Sequence, residues 1–274
     1  MKRSILLTSI SLLISQIVFG QKSITPLWTS DQKLPTPESV LFVPQQQELY
    51  VSLIDGDASE KDGKGGIAVL NIDGSLKNAT WVTGLHAPKG LALHNNLLYI
   101  ADIDEVVIVD NKSGKVVNRI AVPESTFLND VAAAEDGTIF ISDTRQNKIF
   151  QLKNNQPSFY LDQVPSVNGL RVIDGHLHAL AGKELWKLDA NKNKTVLATD
   201  FEQGGDGLEP VGNGDFLVTC WVGLIYYVKA DGTTQKLLDV QGKMNTADLG
   251  YDPAKKILYI PTFGSNSVVA YQLK

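Results

Sequence analysis

The sequence predicts an all-β fold, a six-bladed β-propeller whose last blade is closed by a strand from the N-terminal part of the chain. Three observations support this prediction. An extended apolar segment recurs six times, a polar residue and a short strand precede each copy at a similar distance, and long helical periodicity is absent. The recurring segments are ELYVSLID at Glu48, LLYIADID at Leu97, TIFISDTR at Thr138, HLHALAGK at His176, DFLVTCWV at Asp215 and ILYIPTFG at Ile257.

The short strand before each recurring segment is expected to be the innermost strand of a blade. These strands are PESVLFV, PKGLALH, LNDVAAA, VNGLRVI, GDGLEPV and TADLGYD. Their second residues are Glu38, Lys89, Asn129, Asn168, Asp206 and Ala247. Successive positions in this series are 51, 40, 39, 38 and 41 residues apart, close to the roughly 40 to 50 residues of a four-stranded blade.

Two more strands complete each unit. NKIFQLK is an example of the third strand and TVLATD of the fourth, and Gly, Asn and Asp mark the turns between strands. A parallel sheet would need helices between its strands, and none is indicated. A two-sheet sandwich is the alternative to the propeller.

The last unit lacks a fourth strand, because the chain ends at Lys274 after its third. The segment SITPLWT, at residues 23–29, is strand-like and precedes the innermost strand of the first blade. We expect it to supply the missing outer strand, which closes the ring and covers an exposed sheet edge.

The first residues read as a secretory signal peptide. A basic start is followed by an apolar run, Ile5 to Phe19, and then by the small residue Gly20. The run is short for a membrane span of about 20 residues, so a membrane anchor is the weaker interpretation. We expect cleavage after residue 20, a single propeller domain at 21–274, and a secreted or periplasmic location without membrane attachment.

Composition limits the partners. The formal net charge is −5, and it becomes more negative once Lys2 and Arg3 are removed, which argues against nucleic acid and anionic membranes. Small molecules and cations remain, while a protein partner is not indicated. Cys220 is the single cysteine, so the fold depends on a hydrophobic core rather than on an internal disulfide.

Polar residues at the start of the innermost strands are predicted to meet around the channel axis. Glu38, Asn129, Asn168 and Asp206 would bring two carboxylates and two carboxamides into one small space, and such oxygen ligands suit Ca²⁺ or another divalent cation. Without a cation, the two carboxylates would repel each other. Lys89 offers an alternative, because its ammonium could replace the metal in a buried salt-bridge network.

These motifs, in this order and at blade spacing, resemble the senescence marker protein/gluconolactonase (regucalcin-like) superfamily, which is related to paraoxonase and diisopropyl fluorophosphatase. The resemblance implies a six-bladed propeller with a central divalent cation, commonly calcium, and hydrolysis of lactones or phosphoesters. It implies Glu38, Asn168 and Asp206 as metal ligands and Asn129 as a ligand or substrate contact. Gluconolactonases carry an arginine where this sequence has Phe127, a difference that bears on sugar-acid recognition.

The candidate chemistry is electrophilic, with a general base that activates water. Asp206 and His86, which lies in a loop leading into the second blade, are the candidate catalytic residues. Lys89, Asn129, Phe127 and Trp221 are the candidate substrate contacts, and the acidic loop at residues 55–66 is a candidate lid. The sequence thus predicts an exported calcium-dependent hydrolase of the lactonase or esterase type acting on a small molecule at the central channel. The alternative is a non-catalytic propeller, like those with NHL-type repeats, that binds a ligand or a protein.

Overall fold

The computed structural model describes residues 20–31 and 33–274. Within this part of the chain, six four-stranded antiparallel sheets form the blades of a propeller, so the predicted fold is confirmed. The predicted signal peptide falls on residues outside the described part, apart from Gly20. Among the described residues, no helix has the length and apolar character needed to cross a bilayer.

The strands are numbered in chain order, and each blade runs from an innermost to an outermost strand. Blades 1 and 2 contain β2 (Pro37–Val43), β3 (Glu48–Leu53), β4 (Gly65–Asn71), β5 (Leu76–Leu85), β6 (Pro88–His94), β7 (Leu97–Asp102), β8 (Glu105–Asp110) and β9 (Val116–Ala121). Blades 3 and 4 contain β10 (Leu128–Ala133), β11 (Ile139–Asp143), β12 (Lys148–Lys153), β13 (Gln156–Leu161), β14 (Leu170–Ile173), β15 (His176–Ala181), β16 (Glu184–Leu188) and β17 (Lys194–Ala198). Blades 5 and 6 contain β18 (Leu208–Gly212), β19 (Asp215–Cys220), β20 (Leu224–Val228), β21 (Thr234–Asp239), β22 (Gly250–Asp252), β23 (Ile257–Pro261), β24 (Val268–Leu273) and β1 (Ile24–Thr29).

The ring is closed as the sequence predicts. β1 pairs antiparallel with β24, from Ile24 opposite Leu273 to Thr29 opposite Val269. The sixth blade therefore combines three strands from the C-terminal end of the chain with one from the N-terminal part. This pairing covers the edge that β24 would otherwise expose.

The hydrophobic core lies between neighbouring blades. Six clusters of buried side chains each join two adjacent sheets, so a blade packs against a neighbour on both faces and strands such as β7 and β20 are buried along most of their length. Between blades 1 and 2, for example, Val69 belongs to the same cluster as Leu98 and Ile100. The outermost strands, such as β9, are largely exposed. Rigid packing between blades fixes the innermost strands around the channel.

The innermost strands of blades 1 to 3 begin with an irregular register. Pairing with the second strand is interrupted between Pro37 and Val40, between Pro88 and Leu91, and between Leu128 and Val131. In blades 1 and 3 a hydroxyl of the second strand replaces the lost backbone bond: Ser52 Oγ accepts from Ser39 N at 2.9 Å, and Ser142 Oγ accepts from Asp130 N at 2.8 Å. The first residues of these strands are thereby released from the ladder to face the channel.

Candidate functional site

A cavity of about 230 Å³ lies at the end of the channel where the innermost strands begin. It is lined by the four predicted oxygen donors, by Lys89 and by five apolar or aromatic side chains: Glu38, Asn129, Asn168, Asp206, Lys89, Ile54, Ala58, Phe127, Trp221 and Phe263. The donors come from four different blades, so the ring geometry brings together side chains that are distant in the sequence.

Glu38 has fewer hydrogen-bond partners than the other three oxygen-bearing side chains. Its side chain is 6% exposed, and Oε2 is buried without a hydrogen-bond partner among the described residues. Burial, followed by the negative charge of Asp206, raises the pKa of Glu38 well above its usual range. An unpaired buried carboxylate is costly unless a positive group joins it.

Asn129 is held with a defined orientation by Thr144. Thr144 Oγ1 donates its hydrogen to Val167 O at 2.7 Å, so it can only accept from Asn129, whose Nδ2 lies 3.0 Å away. The amide nitrogen therefore faces Thr144, which turns the carbonyl oxygen Oδ1 the other way. Asn129 thus presents an acceptor rather than a donor at the cavity.

Asp206 and Asn168 form a direct pair across blades 4 and 5. Asn168 Nδ2 donates to Asp206 Oδ1, which leaves the second carboxylate oxygen of Asp206 and the carbonyl oxygen of Asn168 for other partners. Burial, and then the charge of Asp248, raise the pKa of Asp206 to about 8. This carboxyl is therefore poised to change its protonation state near neutral pH.

Lys89 does not form the salt-bridge network that was the alternative to a metal site. No described carboxylate lies within 4.0 Å of its ammonium. Nζ instead donates to Ala87 O at 2.9 Å and to Ala58 O at 3.1 Å, and it lies 4.4 Å from the centroid of the Phe127 ring. Desolvation lowers the pKa of Lys89 to about 8, against the opposing effect of Glu38. No ion pair therefore joins Lys89 to Glu38 or Asp206.

A second layer of carboxylates supports the ring from below. Asp130 accepts hydrogen bonds from Val131 N at 2.7 Å and Leu170 N at 2.6 Å, which ties blade 3 to blade 4. Asp248 Oδ2 accepts from Ser39 Oγ at 2.6 Å and so ties blade 6 to blade 1. Both are buried, and they brace the backbone next to the lining residues rather than line the cavity themselves.

Glycines make room for this second layer. A Cβ added to Gly90 would lie 2.5 Å from Asp130 Cα, and one added to Gly207 would lie 2.7 Å from Asp248 Oδ1. Neither contact is sterically possible without movement. Near the start of β10, Asn129 thus lines the cavity, while the next residue, Asp130, holds the backbone beside it.

Aromatic side chains form the wall of the cavity. Trp221 and Phe263 contact each other edge to face, with ring centroids 5.4 Å apart, and Trp221 remains 46% exposed at the mouth. Phe127 forms another part of the wall. Ile54 and Ala58 complete it, and sequence reasoning missed both because they lie in the loop that follows β3.

The predicted lid and His86 meet outside the cavity lining. Gly63 N, in the loop at residues 55–64, donates to His86 Nδ1 at 3.2 Å, and Lys61 pairs with Asp104 of the next blade. The loop reaches the cavity through Ala58. The structure therefore places His86 in contact with the loop and does not bring its ring to the residues that line the cavity.

The donor set fits a hard divalent cation. It offers two carboxylates and two carboxamides, one of them with its oxygen fixed toward the cavity, and a buried carboxylate oxygen that lacks a partner. Within residues 20–31 and 33–274 there is no group of three or more His, Cys, Asp or Glu side chains arranged to hold a metal. The fit thus depends on the asparagines, and it excludes a zinc site of the usual His and Cys type.

Comparison with solved structures places the fold among known propellers. Virginiamycin B lyase from Staphylococcus aureus has a TM-score of 0.67 at 10% identity, covering 92% of this chain and 99% of its own. A structure provisionally described as a gluconolactonase has 0.66 at 17%, covering 92% of both chains, and a luciferin-regenerating enzyme has 0.62 at 14%, covering 90% and 95%. No protein-family model and no curated protein sequence matches the chain. The resemblance to gluconolactonase-like propellers is therefore confirmed at the level of the fold.

Proposed function

We propose that this protein is a calcium-dependent hydrolase of the lactonase or esterase type, acting on a small molecule in the cavity at the head of the channel. The observation that carries the proposal is the convergence of Glu38, Asn129, Asn168 and Asp206 on one cavity in which a buried glutamate oxygen has no partner. A structural salt bridge would have satisfied that oxygen. Lys89 lies too far away to do so.

Glu38, Asn129, Asn168 and Asp206 would hold the ion by their side-chain oxygens. When bound, a divalent cation polarises a carbonyl oxygen and stabilises the oxyanion that develops on it. Ca²⁺ suits this set because it accepts carboxylate and amide oxygens in irregular geometry. Ca²⁺ takes roughly six to eight oxygen ligands, so four side chains would leave positions for water and a substrate oxygen.

The remaining roles fall to residues that face the same space. Asp206 accepts a proton from the attacking water at the carboxylate oxygen that Asn168 leaves free. Phe127, Trp221 and Phe263 exclude bulk water and contact the apolar part of a substrate. Because His86 lies outside the lining, the proposal assigns the base to Asp206.

Turnover of lactones and aryl esters tests the proposal. γ-Butyrolactone, δ-valerolactone and 4-nitrophenyl acetate would be offered to purified protein in CaCl₂ and in EDTA. We expect activity in calcium that is lost in EDTA and falls at least about 100-fold in Asp206→Asn. Asp162→Asn, which changes an exposed aspartate, is the matched control and should leave turnover unchanged. Equal rates in calcium and EDTA, or full activity in Asp206→Asn, would overturn the assignment.

Export is part of the same proposal. It is supported by the basic start and the apolar run within residues 1–20. N-terminal sequencing of the protein recovered outside the cytoplasm should begin at Gln21. Recovery of the intact Met1 form in the cytoplasm would contradict this.

A further inference from the structure

The cavity contains a buried ammonium, that of Lys89, which has no carboxylate within 4.0 Å among the described residues. Lys89 is 2% exposed, and an ammonium has three N–H donors. Ala87 O and Ala58 O accept two of them, so one donor remains. Both acceptors are neutral carbonyls, which leaves the net charge in place. A desolvated cation of this kind is costly unless it serves a ligand.

A second cation lies on the same aromatic ring. Arg145 Cζ is 4.1 Å from the centroid of Phe127, and Lys89 Nζ is 4.4 Å from it. Arg145 Nη2 donates to Ser59 Oγ at 2.7 Å, which fixes the guanidinium beside the loop that covers the cavity. Among the described residues, Arg145 makes no ion pair with a carboxylate. Two cations without an ion-pair partner among the described residues therefore flank Phe127, one inside the cavity and one at its rim.

We propose that the cavity selects ligands that carry a carboxylate, which binds the free N–H of Lys89 on the side of the cavity formed by Phe127, with Arg145 contributing at the rim. This inference rests on the proposed function, because it assigns the substrate class of the same site: lactones or esters with an additional carboxylate. If the oxygen donors bind a divalent cation, the two carboxylates Glu38 and Asp206 are offset, and Lys89 and Arg145 leave the cavity positive. An anionic ligand restores the balance.

Binding of a matched pair of non-hydrolysable probes tests the inference separately from catalysis. The pair is tetrahydrofuran-2-carboxylate and tetrahydrofuran-2-carboxamide, which differ by one negative charge and contain neither a lactone nor an ester bond. Binding to the full chain in CaCl₂ is followed by calorimetry and by intrinsic tryptophan fluorescence, to which Trp221 at the mouth of the cavity contributes. We expect the carboxylate to bind at least about 10-fold more tightly than the carboxamide at low salt.

Substitutions identify the group responsible. Lys89→Met keeps the length of the side chain and should abolish the preference for the carboxylate, whereas Lys89→Arg should retain part of it. Arg145→Gln, at an exposed position, should reduce the preference about 2- to 5-fold without affecting folding. Equal affinity of the wild-type protein for the two probes, or an unchanged preference in both Lys89→Met and Arg145→Gln, would overturn the inference.

The outcomes separate this inference from the proposed function. A carboxylate preference that depends on Lys89, found in a protein that turns over no lactone or ester, supports the anion site and contradicts the hydrolase. Calcium-dependent hydrolysis of γ-butyrolactone together with equal binding of the two probes supports the hydrolase and overturns the anion site.

Discussion

Replacing Asp206 by Asn should make the metal-free protein more stable at alkaline pH. The folded protein raises the pKa of Asp206 from an ordinary 3.8 to about 8, by burial and by the charge of Asp248. Because the folded pKa is the higher one, the stabilising contribution is complete below about pH 4 and is lost as the pH rises through about 8. At about 1.4 kcal/mol per pH unit, this single group removes about 4 kcal/mol between pH 5 and 8.

Urea unfolding in EDTA from pH 5 to 9 measures this loss. The wild-type free energy of unfolding should fall over that range. For Asp206→Asn the fall should be less steep, with a slope that corresponds to about one fewer proton lost, since Asn does not ionise. At pH 8, calcium at 100 times its dissociation constant should restore about 2.7 kcal/mol to the wild type and much less to the variant. The exposed Asp162→Asn is the control and should follow the wild type. Parallel curves for wild type and Asp206→Asn would refute the reasoning.

Three further predictions concern the support of the cavity and the core. Gly90→Ala should lower the free energy of unfolding by about 3 kcal/mol, because the added Cβ would lie 2.5 Å from the backbone of Asp130. Gly204→Ala, whose Cβ would have its nearest neighbour at 3.8 Å, should lower it by about 0.5 kcal/mol or less. Urea unfolding measures both. Ser142→Ala should lower the free energy of unfolding by about 1 to 3 kcal/mol, because the buried Asp130 N–H loses its acceptor. The exposed Ser158→Ala should leave it nearly unchanged in the same measurement. Equal effects of the two substitutions would contradict the role of the Ser142 hydroxyl. Cys220 is fully buried and burial raises its pKa to about 12, so a colorimetric thiol reagent at pH 8 should react with it only after unfolding, and rapid reaction of the native protein would contradict this placement.

The fold could be predicted because each blade repeats the same pattern of apolar segments in the sequence. Strand patterns recur at blade spacing, and the missing fourth strand of the last unit leaves one place for SITPLWT. The same spacing placed Glu38, Asn129, Asn168 and Asp206 at equivalent positions, so a regular ring was enough to bring them to one cavity. These features depend on backbone periodicity, which is visible in the regular spacing of the apolar segments.

The parts of the site that depend on loops could not be predicted in this way. Ala58 lines the cavity because the loop at residues 55–64 folds over it, and the route of a loop is not periodic. His86 follows a strand end on the same face, yet its ring turns to Gly63 instead of the cavity. Thr144 was also missed, although a hydroxyl directly after β11 lies close enough in blade geometry to orient Asn129. The direction of Lys89 was undetermined because a long side chain can reach carbonyls as well as carboxylates.

Diffraction from crystals grown with Tb³⁺, a luminescent and anomalously scattering substitute for Ca²⁺, tests most directly whether side chains from four blades hold one cation. We predict a single strong anomalous peak in the cavity, within about 2.3 to 2.6 Å of oxygens of Glu38, Asn129, Asn168 and Asp206, and no such peak in Asp206→Asn. A cavity without a peak, or a peak only at surface carboxylates, would contradict the account.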